Sequence, residues 1–200
     1  MKTEIKKKIT LEDEMKKIEQ LLNTLNNPNK RNNYPNNLTI ATSIKNHLQS
    51  LNFFYNTLVE KQNPTSPDPS NTFYNIKSRP KEGEIAYFNL GTGYPKEIHN
   101  GHYCYIFKDY KTKFLIIPTT SVKSDTEPNE DFEFDIQINS LKKDTGTKSA
   151  LNTKQKSRLQ LSDMRTIDIQ RINLERGVYT VSTPLNDIND FLEKKLFNNC

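Results

Sequence analysis

Phe132-Glu133-Phe134-Asp135-Ile136-Gln137-Ile138 alternates apolar with charged or polar side chains at every position. Successive residues of a strand point to opposite faces, so a period of two predicts a half-exposed β-strand at a sheet surface. Strand patterns continue on either side of it. Upstream, Gly83-Glu84-Ile85-Ala86-Tyr87-Phe88-Asn89-Leu90 combines aromatic and β-branched residues, and His102 to Lys108 follows a loop over 91–100 that holds glycines and a proline. Asp109-Tyr110-Lys111-Thr112 reads as a turn, and Phe114 to Thr119 is apolar enough for burial on both faces. Downstream, Ser157 to Met164 and Val178 to Val181 read as strands, with a short helix predicted at 168–174 between them. After Pro184, a helix over 185–198 carries Leu185, Ile188, Phe191, Leu192 and Leu196 on one face. Many short strands with helices late in the chain predict a mainly β fold. The expected form is a small SH3-like antiparallel barrel of five to seven strands over 80–183 with a C-terminal helix packed on it.

The residues before the barrel have a different character. Leu11, Met15, Ile18, Leu22 and Leu25 recur at helical spacing, and Thr10 with Asp13 forms a capping-box pattern, which predicts a helix over 10–26. An Asn/Pro-rich loop over 27–37 separates it from a second helix, about 38–61, whose stripe runs through Ile40, Ile44, Leu48, Leu51, Phe54 or Tyr55, and Leu58. Such stripes need burial, against each other or against a partner chain. Residues 62–72 hold three prolines and no apolar side chain and read as an exposed linker without regular structure. The expected organisation is an N-terminal helical extension, 1–61, the linker, 62–72, and the barrel domain, 73–200.

The formal net charge of +5 is compatible with a polyanionic partner, although a charge run such as Lys6-Lys7-Lys8 is more often a solvated face. The two cysteines, Cys104 and Cys200, make no disulfide framework, and the three histidines, His47, His99 and His102, make no zinc pattern. No apolar leader core opens the chain, and no run approaches the ~18 apolar residues of a membrane span. A cytoplasmic protein with no membrane segment and no cofactor is expected.

Four segments, in order, resemble the MazF/PemK (Kid) family of type II toxins. Pro80-Lys81-Glu82-Gly83-Glu84-Ile85-Ala86-Tyr87-Phe88 is similar to that family's opening strand, and Asn100-Gly101-His102 with Tyr103–Phe107 is similar to its Gly-His segment and second strand. Ile116-Ile117-Pro118-Thr119-Thr120-Ser121 resembles its third strand. Asp163-Met164-Arg165-Thr166-Ile167-Asp168-Ile169-Gln170-Arg171-Ile172 resembles its Gln-x-Arg-Thr-Ile-Asp-x-x-Arg-Leu segment, the most specific of the four. The resemblance covers about 80–197 and leaves the first seventy residues outside it. It implies a metal-independent endoribonuclease that cleaves single-stranded RNA at short sequences, a homodimer, and a cognate antitoxin as partner.

The resemblance also implies a site. Thr120 and Ser121 would give hydroxyl donors to a phosphate, His102 would do acid–base work, and Tyr103 stands where the family has its catalytic arginine. Gln160 and Ser162 stand where one branch of the family has an Arg and an Asp, and with Lys96, His99, Arg158 and Asp163 they complete an expected RNA-binding set. All four catalytic candidates are expected on one groove beside the loop 91–100. Each residue also has a plainer reading: a strand-end hydroxyl for Thr120, sheet packing for Tyr103, a solvent-facing Arg158, and an Arg165–Asp168 pair with Asp168 capping a helix. A phenol cannot replace a guanidinium charge. The rival reading is therefore a catalytically impaired barrel that binds RNA or protein, and it gains if no arginine reaches Thr120.

Overall fold

The computed structural model describes residues 10–25, 37–72, 76, 78–91, 93–94, 96–122, 126–141 and 155–197. The lysine run at 6–8, nearly all of the Asn/Pro loop at 27–37 and Cys200 lie outside the described residues. The chain divides into two compact units, Met1–Asn46 and His47–Cys200.

In the first unit, α1 spans Leu11–Leu25. Its capping box forms as the sequence predicts: Asp13 N donates to Thr10 Oγ1 at 3.2 Å, and Thr10 N donates back to Asp13 Oδ2 at 3.1 Å. Among the described residues its stripe is not buried: Met15, Ile18 and Leu22 are all exposed. Helix α2, Asn37–Phe53, crosses from the first unit into the second. It continues through a π turn at Phe54–Leu58 into α3, Val59–Gln62. Val59 is buried, whereas Leu48, Leu51 and Tyr55 are exposed. The linker reading needs a correction. Asp68 caps a 3-10 turn at Pro69–Asn71, with Ser70 N donating to its Oδ1 at 2.8 Å, and Thr72 is buried.

The second unit holds a seven-stranded antiparallel sheet made of β1 Glu84–Asn89, β2 Gly101–Asp109, β3 Lys113–Ser121, β4 Glu133–Leu141, β5 Gln155–Gln160, β6 Arg165–Asp168 and β7 Val178–Val181. Six of them run in the order β2-β1-β7-β4-β5-β3, and the pairing of β3 back onto β2 closes the barrel. Beside β2, strand β3 is paired twice: Lys113–Ile116 with β6 and Thr119–Ser121 with β5. The strand predicted over 157–164 stops at Gln160 and gives way to a 3-10 turn at Leu161–Asp163. The helix predicted at 168–174 is replaced by two 3-10 turns, Ile169–Arg171 and Leu174–Arg176. Asp168 and Asn173 cap them separately through Gln170 N at 2.9 Å and Glu175 N at 3.0 Å, so the backbone bonds locally instead of continuing as an α-helix.

Alternation along the strands makes two cores. One takes Ile85, Tyr105, Ile117, Ile136 and Leu159, with Tyr179 and Val181 partly buried against it, so every barrel strand contributes. Ile188 and Leu192 of α4, Leu185–Phe197, join this core, and Phe191 stacks on Phe134 at 4.9 Å. The other core, on the opposite face of β1, β2 and β3, holds Ala86, Phe88, Cys104, Ile106, Phe114 and Ile116 together with Ile167, Ile169 and Ile172. No helix among the described residues is long and apolar enough to cross a membrane.

Candidate functional site

The loop before β2 is closed at its neck and clamped along its length. Leu90 N donates to Asn100 O, and Asn100 N donates to Gly91 O, both at 2.6 Å. Gly91 has φ +83°, and Asn100 takes φ 62°, a conformation that Asn tolerates better than most residues. Farther out, Asp163 Oδ1 accepts Ile98 N at 2.8 Å, and Arg165 Nη2 donates to Ile98 O. Arg165 Nε also donates to Asp163 O at 3.3 Å, and its Nη2 lies 3.5 Å from Asp163 Oδ1. The two residues flanking Met164 thus hold both polar backbone groups of Ile98.

That clamp holds the loop where His99 acts on His102 at the start of β2. His99 Nδ1 lies 2.8 Å from Glu97 O. A carbonyl only accepts, so Nδ1 carries the proton. Lys96 is exposed at the loop surface. His102, half-buried, has His99, Asp163 and Arg165 around it. Burial pushes its imidazole below the usual value of 6.5; His99 and Arg165 add to that, while Asp163 and a hydrogen bond to the His99 backbone oppose it. The net shift favours the neutral imidazole, the form that accepts a proton.

Strand alternation divides the four expected catalytic residues. His102 pairs with Phe88 and shares its face with Cys104, and Cys104 pairs with Pro118, so His102 and Thr120 lie on one face of the sheet. Tyr103 and Ser121 lie on the other. Tyr103 packs edge-to-face against Tyr87 at 5.1 Å and Tyr179 at 5.2 Å, and its hydroxyl donates to Arg176 O at 2.9 Å. Burial and the neighbouring Tyr179 push that phenol up. Sheet packing, the plainer reading of Tyr103, is what its contacts describe. Space there is tight: a Cβ at Gly101 would lie 2.0 Å from the Tyr87 hydroxyl.

Thr120 is opposite Arg158 on β5, but that guanidinium is not available to it. Arg158 is buried, and its Nε and Nη2 bond Asp135 at 2.6 and 3.1 Å. Nη1 donates to Glu127 O at 3.1 Å and Nη2 to Thr126 O at 2.6 Å. Gln160 Nε2 bridges Thr120 Oγ1 at 3.2 Å and Glu133 Oε1 at 2.9 Å. The expectation of a solvent-facing Arg158 is thereby corrected: two carboxylates on β4 and the carbonyls of 126–127 enclose it. Ser121 is exposed, and so is Ser162, whose Oγ reaches Asp163 Oδ2 at 3.4 Å.

Arg165 was expected to pair with Asp168 and instead holds Ile98 and Asp163. Asp168 does cap a turn, as expected, but a 3-10 turn. A cleft of about 500 Å³ elsewhere in the unit is lined by Phe54, Thr72, Arg79, Lys111 and Gln170, none of them an expected site residue. Among the described residues, no group of three His, Cys, Asp or Glu side chains is placed to hold a metal ion. Comparison of the chain with protein-family models and with curated proteins gives no match.

Proposed function

We propose that this chain is a toxin of the MazF/PemK kind, an endoribonuclease that cuts single-stranded RNA through the ribose 2′-OH and is restrained by a cognate antitoxin. The observation that carries this reading is the place of His102: a half-buried imidazole on the same face as Thr120, with His99, Asp163 and Arg165 acting on it. A neutral imidazole can take the 2′ proton, and the reaction has no use for DNA, which lacks that hydroxyl. Thr120 offers a hydroxyl on the same face, and exposed Lys96 together with the net charge of +5 favours a polyanion. A homodimer belongs to the same reading.

The second reading is a barrel that binds RNA without cutting it. It is favoured by the contacts of Tyr103 and Arg158, which leave neither side chain able to act at Thr120. One experiment separates the two. Purified protein is incubated with end-labelled single-stranded RNA in EDTA, beside His102→Gln. Cleavage that falls by about 100-fold or more in the variant supports the ribonuclease. Salt-dependent binding with intact RNA supports the binding module, and RNA neither bound nor cut overturns both.

A further inference from the structure

We infer that Arg165 supplies the guanidinium for the scissile phosphate, from the β6 side of the site and not from the residue after His102. The inference rests on the ribonuclease reading above. Of the other described arginines, Arg79 and Arg158 are committed to carboxylates, and Arg171 and Arg176 do not act on His102. Arg79 bonds Asp109 and Lys111 O and lies over the Phe114 ring. Arg158 is enclosed by Asp135, Glu133, Thr126 O and Glu127 O. Arg171 donates to Asn89 O, and Arg176 sits over the Tyr87 ring at 5.3 Å.

Arg165 differs in three respects. It starts from β6 opposite Ile116, on the face that also carries His102, Cys104 and Thr120, and its charge acts on both His102 and Cys104. Its Nε and Nη2 are spent on Asp163 and Ile98, which fixes the plane of the group. The hydrogen bonds of Arg165 among the described residues come from Nε and Nη2 and leave Nη1 open, and the side chain is 34% exposed. A guanidinium held by two donors with a third position open is pre-organised for an anion, and needs little rearrangement to meet developing charge.

The chemistry closes without a further reagent. The 2′-oxygen forms a bond to phosphorus as its proton passes to His102. The P–O5′ bond breaks, the 5′-oxygen takes a proton from solvent, and His102 returns its proton to solvent. The products are a cyclic phosphate and a 5′-hydroxyl. Arg165 Nη1 faces a non-bridging oxygen as charge builds on it.

The test uses the full chain, with Arg165→Ala, Arg165→Lys and Asp163→Asn beside the wild type. Asp163→Asn loosens the hold on Ile98 but keeps the guanidinium. The expected result is a loss of about 100-fold in kcat for Arg165→Ala with little change in KM, a partial return in Arg165→Lys, and a smaller loss in Asp163→Asn. Equal losses in Arg165→Ala and Asp163→Asn would make Arg165 a loop anchor and overturn the inference. Wild-type activity in Arg165→Ala would overturn it too, and leave the ribonuclease reading standing. An inert wild type overturns both. A measurement independent of turnover is the His102 imidazole signal by NMR under titration with inorganic phosphate. It should shift in the wild type and not in Arg165→Ala, and an unmoved wild-type signal counts against the inference even if a variant fails to fold.

Discussion

Arg158 on β5 and Asp135 on β4 stand opposite each other in register and are joined by two hydrogen bonds, at 2.6 and 3.1 Å. The pair sits on the outer face of the barrel, yet Arg158 is almost inaccessible because residues 126–127 close over it with their carbonyls. Removing the cation alone leaves Asp135 and Glu133 facing each other's charge across a partly dry site. Arg158→Ala should therefore cost about 3 kcal/mol of stability, read from the shift of a urea unfolding midpoint. Arg158 is a stability residue if that loss appears with His102 titrating as in the wild type. An unchanged midpoint would refute the network's role.

His102 makes stability depend on pH in a stated direction. In the folded chain its value lies below 6.5, through burial, His99 and Arg165, with Asp163 opposing. An unfolded imidazole titrates near the ordinary value, so in the interval between the two the unfolded chain binds more protons. The contribution is complete above about pH 6.5 and is lost as pH falls through the folded value. Thermal melts from pH 8 to 5 should show this decline, and His102→Gln should reduce it, leaving the part due to His47, which burial and Arg171 also push down. An NMR midpoint for His102 above 6.5 would contradict the assignment.

Tyr103→Arg installs the residue that the resembled family carries after Gly-His, but it should not raise RNA cleavage. The side chain at 103 leaves β2 on the face away from His102 and enters a cluster with Tyr87 and Tyr179. A guanidinium there displaces two aromatic contacts and the bond to Arg176 O. The expected outcome is a lower melting temperature with no gain in RNA cleavage. A gain in cleavage would mean that β2 presents residue 103 to the substrate.

Cys104 should be chemically silent in the folded chain. It is fully buried between Ala86 and Pro118 in the sheet registers, and burial pushes its thiol well above the usual range. In a Cys200→Ser background, a thiol reagent should label the protein only after denaturant is added. Labelling at the native rate of a free thiol would show that the β1–β2–β3 face opens.

Most of the barrel was legible because its signal is local. The alternation at 132–138 fixes which of its residues face the core, and Val178–Val181 stands as a strand at its predicted bounds. The stretch after Gln160 was harder. Asp163, Asp168 and Asn173 spend their side chains on nearby or distant backbone, and those bonds cut what reads as a long strand and a helix into β6 and three 3-10 turns. The site was legible as residue types and less so as geometry. His102 could be singled out as an imidazole at a strand start. The parity that separates it from Tyr103 follows from any strand, and the expectation of a shared groove overlooked it. Arg165 gave no local sign of its role, since its partner Ile98 is 67 residues away in sequence.

The cluster of Tyr87, Tyr103 and Tyr179 also gives the protein an optical property. The chain has no tryptophan, and these are three of its nine tyrosines, held edge-to-face where β1, β2 and β7 meet. Near-ultraviolet circular dichroism depends on such fixed asymmetric packing and is lost when packing loosens, even if the backbone stays folded. In this chain that signal needs no label and no tryptophan correction. It reports on the end of the barrel from which His102 emerges, so a ligand that reorders the start of β2 should be visible in the tyrosine band before any change in secondary structure.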